Sequence, residues 1–318
     1  MIRIAIMDDY QNVALRMADW SKLGPDVDIV SFTTHLPTSD EAAPLLQDFD
    51  VMVCMRERMP VPRALIERLP KLKLIVFTGS HSQMIDLEAA AERDIPVCRT
   101  SGKPSSSAAE MAWALIMACV RNLPREDANV RAGHWQTTVG TTLEGKTLGL
   151  IGLGNLGGMV ARYGRAFGMN ILAWSANLTQ ERAEEHGATR VNLDDLLRSS
   201  DIVSIHLKLS ERSVGLIGRG ELDLMKSSAI LINTARGPIV DEVALIDALR
   251  SRGIRGAGLD VFHHEPLPAD HPFRRLDNIV VTPHLGFVTE EGYQSFYGGA
   301  LEVIQSWRAG NLINRYVA

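Results

Sequence analysis

Three stretches of this chain place ionisable side chains just past short apolar runs. Leu231–Gly237 carries Arg236, Gly258–Pro266 carries Asp260, His263, His264 and Glu265, and Val281–Gly286 carries His284. A guanidinium is a planar fork suited to a carboxylate. An imidazole with a carboxylate beside it can give and take a proton near neutral pH, because the anion favours the imidazolium form. Arg236, Glu265 and His284 are therefore a candidate set for gripping a carboxylate and moving a proton next to it. His263 and His264 adjoin Glu265, but neighbouring side chains on an extended segment diverge, so no metal site is expected.

A second kind of chemistry lies in Lys146–Gly158, where the apolar run Leu148–Leu153 ends in Gly152-x-Gly154-x-x-Gly157 and a helical pattern follows. Gly152 permits a tight turn, Gly154 lets backbone approach a pyrophosphate, and Gly157 lets helix and strand pack closely. With Asn155 and Leu156 these residues would form a dinucleotide site in which phosphates meet the helix N-terminus, the alternative being a plain tight βα turn. An NAD site usually has an acidic residue about 20 positions further on. Here Ser175 stands in its place, Asn177 follows, and no arginine sits immediately beside them. NAD(H) is favoured, with NADP(H) left open.

These groups need strands to carry them. Strands are expected at Arg3–Met7, Val27–Phe32, Val51–Met55, Leu74–Thr78 and Pro96–Cys98, with helices at Gln11–Trp20, Glu41–Gln47, Pro62–Arg68 and Asp86–Glu92. Ser101–Ser107 breaks the rhythm and reads as a hinge, and Ser107 with Glu110 has the form of a capping box opening a helix over Ala108–Asn122. An irregular arm over Arg121–Asn129 and Gly133–Trp135 follows. Trp135 is open as pocket wall, subunit contact or core. Further strands are expected at Thr147–Gly152, Asn170–Trp174, Ile202–His206, Ala229–Asn233, Gly256–Asp260 and Ile279–Thr282. Helices are expected at 155–167, 179–186, 193–198, 241–252 and Gln294–Arg308. Strand alternating with helix argues parallel α/β sheets.

The 318 residues suggest two domains. With 46% apolar and 22% charged residues, a net charge of -5 and no basic block, neither nucleic acid nor a membrane is an expected partner. Cys54, Cys98 and Cys119 are widely spaced and form no CxxC pair, as expected of thiols in a reducing compartment. The N-terminus reads as a buried strand and not as a leader, so a cytoplasmic protein is expected.

The fingerprint, "NTARGPIVDEVAL" (Asn233–Leu245), "GAGLDVFHHEPLP" (Gly256–Pro268) and "NIVVTPHLG" (Asn278–Gly286) occur in this order. In that set the chain resembles the D-isomer-specific 2-hydroxyacid dehydrogenases, which include phosphoglycerate, glyoxylate/hydroxypyruvate and D-lactate dehydrogenases. The resemblance implies two doubly wound parallel-sheet domains with the active site in a cleft between them. One is a flavodoxin-like substrate domain, 1–101 with 288–318. The other is a Rossmann cofactor domain, 102–287, with a dimerisation arm over about 108–146. It implies a homodimer, closure about hinges near 101–104 and 286–290, and interconversion of a small D-2-hydroxy acid and its 2-oxo acid. Arg236 would then hold the substrate carboxylate, His284 exchange a proton with the C2 oxygen, and Glu265 orient His284. Asp260, Thr234, Ala235 and Gly286 would lie near the nicotinamide, and His206 and Leu207 beside the cofactor.

Departures from the family pattern bear on the substrate. The family's loop after the fourth strand is glycine-rich and offers backbone N–H groups to the carboxylate; here it reads Thr78-Gly79-Ser80-His81-Ser82-Gln83. Gly79, Ser80 and His81 are substrate candidates, as is Arg56, with Arg58 nearby. Lys208 stands where a proline shapes the loop after His206. Phosphoglycerate is the less favoured substrate, since no regulatory domain follows residue 318. Formate dehydrogenase is disfavoured because glutamine belongs where Glu265 stands. The competing reading is a dinucleotide-sensing, corepressor-like binding protein with little turnover.

Overall fold

The computed structural model describes residues 1–79, 84–100 and 106–317. The chain forms two compact units, Met1–Pro104 with Thr289–Ala318, and Ser105–Val288. In the first, β1 (Ile2–Ile6), β2 (Val27–Ser31), β3 (Val51–Cys54), β4 (Leu74–Phe77) and β5 (Val97–Arg99) make a parallel sheet ordered β2-β1-β3-β4-β5. Every residue of β3 and β4 is apolar and buried, as inner strands of a parallel sheet require. Between the strands run α1 (Ala14–Met17), α2 (Ser39–Leu46), α3 (Arg63–Ile66) and α4 (Leu87–Glu92). Thr38 and Asp86 cap α2 and α4 through their side chains. The helix expected over Gln11–Trp20 shrinks to α1 and a 3₁₀ turn at Trp20–Leu23. Asn12 takes a φ of 53°, the Asp9 carboxylate receives the N–H groups of Val13 and Ala14, and Ala18 is extended, so only one turn fits.

The second unit opens with α5 (Ser107–Arg121) and α6 (Leu123–Arg131). The cap position of α5 is Ser106, whose hydroxyl bonds the Glu110 carboxylate and caps no backbone N–H, and Ser107 is already helical, so the expected capping box is not formed. Where an irregular arm was expected, α6 is helical. Asn122, at φ 53°, ends α5, and Pro124 in the first turn starts the next helix. No residue of α6 is buried, so no apolar periodicity announces it.

There follow β6 (Thr147–Ile151), α7 (Asn155–Ala166), β7 (Asn170–Trp174), α8 (Gln180–Glu185), β8 (Thr189–Arg190), α9 (Leu193–Ser199) and β9 (Ile202–Ile205). Then come α10 (Arg219–Leu224), β10 (Ile230–Asn233), α11 (Glu242–Arg250), β11 (Gly256–Leu259) and β12 (Ile279–Val281). All pairings are parallel, in the order β12-β11-β10-β9-β6-β7-β8. The chain builds outward from β6 through β8, then restarts beside β6 with β9, and a reversal of this kind is where open α/β sheets take ligands. The exposed β8 and the short α10 were not expected from the sequence.

The chain ends in the first unit with α12 (Glu290–Arg308), four residues longer at its start than expected because Thr289 caps it by accepting the Gly292 N–H. The segment beyond α12 runs antiparallel along β5, through Arg99 N–H to Asn314 O and Tyr316 N–H to Val97 O, so that edge of the sheet is covered. Burial pushes the thiol of Cys54 up to about 12 and that of Cys98 to about 11. Among the described residues, no helix is long and apolar enough to cross a membrane.

Candidate active site

In the second unit, each glycine of the fingerprint meets a different constraint. Gly152 has φ +102°, and a Cβ there would come within 2.8 Å of the His206 carbonyl oxygen. At Gly157 a Cβ would overlap the carbonyl oxygen of Gly152, so α7 and the turn touch backbone to backbone. At Gly154 nothing lies within 4 Å of that position, and Gly154 is the cap residue of α7. The first-turn N–H groups of a helix have no intrahelical acceptor. An open cradle over a helix N-terminus, with Asn155 and Leu156 in the first turn, fits the pyrophosphate of a dinucleotide.

The neighbouring positions fill out this cradle. Ser175 is half-buried just past β7, with its carbonyl accepting the Leu178 N–H, and Asn177 is exposed in that turn. His206 follows β9, and its Nε2 lies 2.9 Å from Ser204 Oγ. Burial holds its imidazole down at about 4, so it stands neutral beside the turn and adds no positive charge. Leu207 packs partly buried, and a Cβ on Gly152 would approach it to 3.0 Å. The loop after His206, where Lys208 replaces the family's proline, is pinned by Ser213, whose Oγ accepts the Ser210 N–H at 2.8 Å and donates to Lys208 O at 2.9 Å.

The parallel strands β10, β11 and β12 lie side by side, so their carboxyl ends bring the loops that carry the candidates Arg236, Glu265 and His284 together. Asn233 ends β10, 1% exposed, and braces the turn that bears Arg236: its Nδ2 donates to Arg236 O and its Oδ1 accepts the Ala235 N–H, both at 3.0 Å. Thr234, Ala235 and Arg236 are half-buried, and Arg236 Nη1 donates to Ala235 O at 2.7 Å. Gly237 sits so close to the β11 loop that a Cβ would overlap the Phe262 carbonyl. Glu265 is clamped at both oxygens: Oε1 accepts the Phe262 N–H at 2.9 Å, and Oε2 lies 2.6 Å from His284 Nδ1. His284 has φ +54°, a region a non-glycine residue enters only when its surroundings hold it there. The Phe287 ring meets the imidazole edge to face, with centroids 5.3 Å apart. His263 is taken up elsewhere, its Nε2 2.9 Å from Val240 O.

Asp260 supplies the holding. It is 0% exposed, and its carboxylate accepts from Thr282 Oγ1 at 2.6 Å and from the N–H groups of Leu285 and Gly286 at 2.7 Å each. Burial pushes its carboxyl above the usual range against the pull of those three bonds. Asp260 thus anchors the loop on both sides of His284. An amide offers one acceptor oxygen where the carboxylate has two, so Asp260→Asn leaves at least one donor unmet. The variant should lose about 1–3 kcal/mol of stability in chemical denaturation, and unchanged stability would remove the anchor role.

The candidates in the first unit follow β3 and β4. Arg56 has φ +50° and lies against Glu57, 3.7 Å from Nε to the carboxylate, and over the Phe296 ring. Arg58 donates to Asp8 O at 2.7 Å and lies 4.5 Å over the Tyr10 ring, so it is tied to the segment that follows β1. Gly79 donates its N–H to Thr100 Oγ1 at 2.9 Å, so its amide is directed inward. Ser80 and His81 lie outside the described residues. The sequence did not single out Asn233, Thr282, Phe287 or Thr100; their partners lie on other loops, and only the polar residues at strand ends hinted at them.

With that geometry in view, comparison with known proteins gives the class. Residues 113–286 match the family profile described as D-isomer specific 2-hydroxyacid dehydrogenase, NAD binding domain. A D-3-phosphoglycerate dehydrogenase of Methanocaldococcus jannaschii is 37% identical over 100% of this chain and 59% of its own. A glyoxylate reductase of Aeropyrum pernix is 41% identical over 80% of this chain and 79% of its own. The crystal structure of a phosphoglycerate oxidoreductase from Vibrio cholerae superposes with a TM-score of 0.92 at 33% identity, covering 98% of this chain and 100% of that one. This chain belongs to the D-isomer specific 2-hydroxyacid dehydrogenase family, and its second unit is that family's NAD-binding domain. It spans 59% of the length of the M. jannaschii enzyme.

Proposed function

We propose that the protein interconverts a small D-2-hydroxy acid and its 2-oxo acid with NAD(H). The observation that carries this reading is the 2.6 Å pair between His284 Nδ1 and Glu265 Oε2 beside the Arg236 turn. With Nδ1–H donated to a carboxylate that is itself fixed by the Phe262 N–H, the imidazole keeps one tautomer and one orientation. Nε2 is then the nitrogen that works. In reduction it gives its proton to the C2 oxygen; in oxidation it takes that proton back. Arg236 grips the substrate carboxylate and polarises the carbonyl, and Glu265 stabilises the imidazolium. Bound NAD(H) supplies or accepts the hydride at C2.

Gly152, Gly154, Asn155, Leu156 and Gly157 would hold the pyrophosphate, and Ser175 and Asn177 the adenosine ribose. His206, Leu207, Thr234, Ala235, Asp260 and Gly286 would line the nicotinamide side. Arg56 and the Gly79–His81 stretch would meet the substrate. Ser175 and Asn177 offer hydrogen bonds to the ribose hydroxyls, and no arginine is their immediate neighbour in the chain, which favours NADH over NADPH.

The test is loss of reduced-nicotinamide absorbance, with NADH and NADPH assayed separately. The acids are glyoxylate, hydroxypyruvate, phosphohydroxypyruvate, pyruvate, phenylpyruvate and 2-oxoglutarate. NADH-dependent turnover of at least one is expected; none with either nucleotide would overturn the reading. The relatives' names support glyoxylate or the phosphoglycerate couple as the first substrates to try.

The buried thiols suit a cytoplasmic protein. A homodimer is expected through the 108–146 region, where Leu123, Val130, Trp135 and Val139 are 52%, 51%, 77% and 90% exposed. That exposure rules out Trp135 as a core residue of the single chain. Sedimentation at micromolar protein should give twice the chain mass, and a monomer would count against the arm.

A further inference from the structure

Thr100 stands at the carboxyl end of β5, 1% exposed, and its Oγ1 accepts the Gly79 N–H at 2.9 Å. Its own N–H bonds Phe77 O at 3.0 Å, which ties it to β4. The side chain is held in turn by α12: a Cβ at Gly299 would come within 2.9 Å of Thr100 Cβ and 3.3 Å of its Cγ2, so helix and threonine meet with only the glycine's hydrogens between them. Gly79 has φ +102°, a conformation that glycine adopts without strain.

The Arg56 turn is built alike. Arg56 has φ +50°, and its N–H donates at 3.0 Å to Oγ1 of Thr78, which is 0% exposed. The two turns then touch. Arg56 Nη1 lies 3.0 Å from the place a Gly79 Cβ would occupy, so the guanidinium rests across the glycine. Two buried hydroxyls thus fix two left-handed residues, and the one under Gly79 decides what the cation lies on.

Resting on the 2-hydroxy acid reading above, we propose that Thr100 is a positioning residue for the substrate. Its hydroxyl latches Gly79 against β5 and thereby sets where the Arg56 guanidinium is presented. It governs affinity for the acid and leaves the proton and hydride steps alone. A buried N–H that loses its acceptor is costly, so without the hydroxyl the Gly79 peptide rotates toward water and its shelf for Arg56 is lost.

Thr100→Val keeps the shape and removes the acceptor; Thr100→Ser keeps the acceptor and removes the methyl. In Thr100→Val the KM for the 2-oxo acid should rise about tenfold, with kcat within about twofold of the parent. Amide hydrogen exchange at Gly79 should quicken in the same variant. Thr100→Ser should match the parent in both readings. Parent KM and parent exchange in Thr100→Val would overturn the latch, as would a fall in kcat with KM unchanged. If the parent protein turns over none of the acids, the proposed activity fails, and the latch is still decided by exchange at Gly79, where an unchanged rate overturns it.

Discussion

Gly237→Ala should cut turnover about 10²-fold and lower the thermal midpoint by about 2–12 °C, although the change adds a single methyl group. The methyl has nowhere to go. It would overlap the carbonyl of Phe262 and come within 2.6 Å of the His263 nitrogen, and these are backbone atoms that no rotamer change can move. Overpacking of this kind typically costs about 1–3 kcal/mol. The larger consequence is for geometry. Gly237 follows Arg236, and the Phe262 N–H fixes Glu265, so the methyl drives apart the segment that holds the guanidinium and the segment that holds the carboxylate. A displacement near 1 Å in such a set costs about 10²-fold or more in rate. Gly220→Ala is the control: it lies in α10 with nothing within 4 Å of its Cβ position, and it should leave turnover unchanged and the midpoint unchanged or slightly raised. A Gly237→Ala protein with parent midpoint and turnover would show that this contact gives way freely and that the site does not depend on it.

Strands were legible in the sequence because an inner parallel strand is apolar at nearly every position, and β3, β4, β9 and β10 begin and end within a residue or so of their apolar runs. The glycines of the fingerprint were legible for a related reason: their spacing falls within one strand–turn–helix unit, where Gly157 meets the Gly152 carbonyl, although the close neighbour of Gly152 is His206 from another strand end. Elements without a buried face were not. Nothing in α6 is buried, and β8 is two exposed residues, so neither leaves a pattern to read. The site divides along the same line. Arg236, Glu265 and His284 announce themselves by chemistry, whereas some of the residues that hold the surrounding loops act through bonds across long sequence distances. Asp260 reaches Gly286, 26 positions away, and Thr100 reaches Gly79, 21 positions away. A buried carboxylate serving three donors and a threonine under a glycine are ordinary residues until the strands are set side by side.

His284→Asn should lower kcat for the 2-oxo acid by about 10²–10⁴-fold, the usual contribution of a positioned general acid, while dinucleotide affinity stays within about twofold. Asparagine is the informative replacement because it tolerates the φ of +54° at this position, so the loop anchored by Asp260 keeps its course. Alanine would mix loss of the imidazole with backbone strain. Glu265→Gln should cost less, since an amide oxygen can still receive Nδ1–H but brings no charge to stabilise the imidazolium. The decisive comparison is the double variant. If Glu265 acts only through the histidine, as the 2.6 Å bond at Nδ1 implies, removing both should cost no more than His284→Asn alone. Fully additive losses would instead give Glu265 a contact of its own with the reacting atoms, and a parent kcat in His284→Asn would take the imidazole out of the reaction altogether.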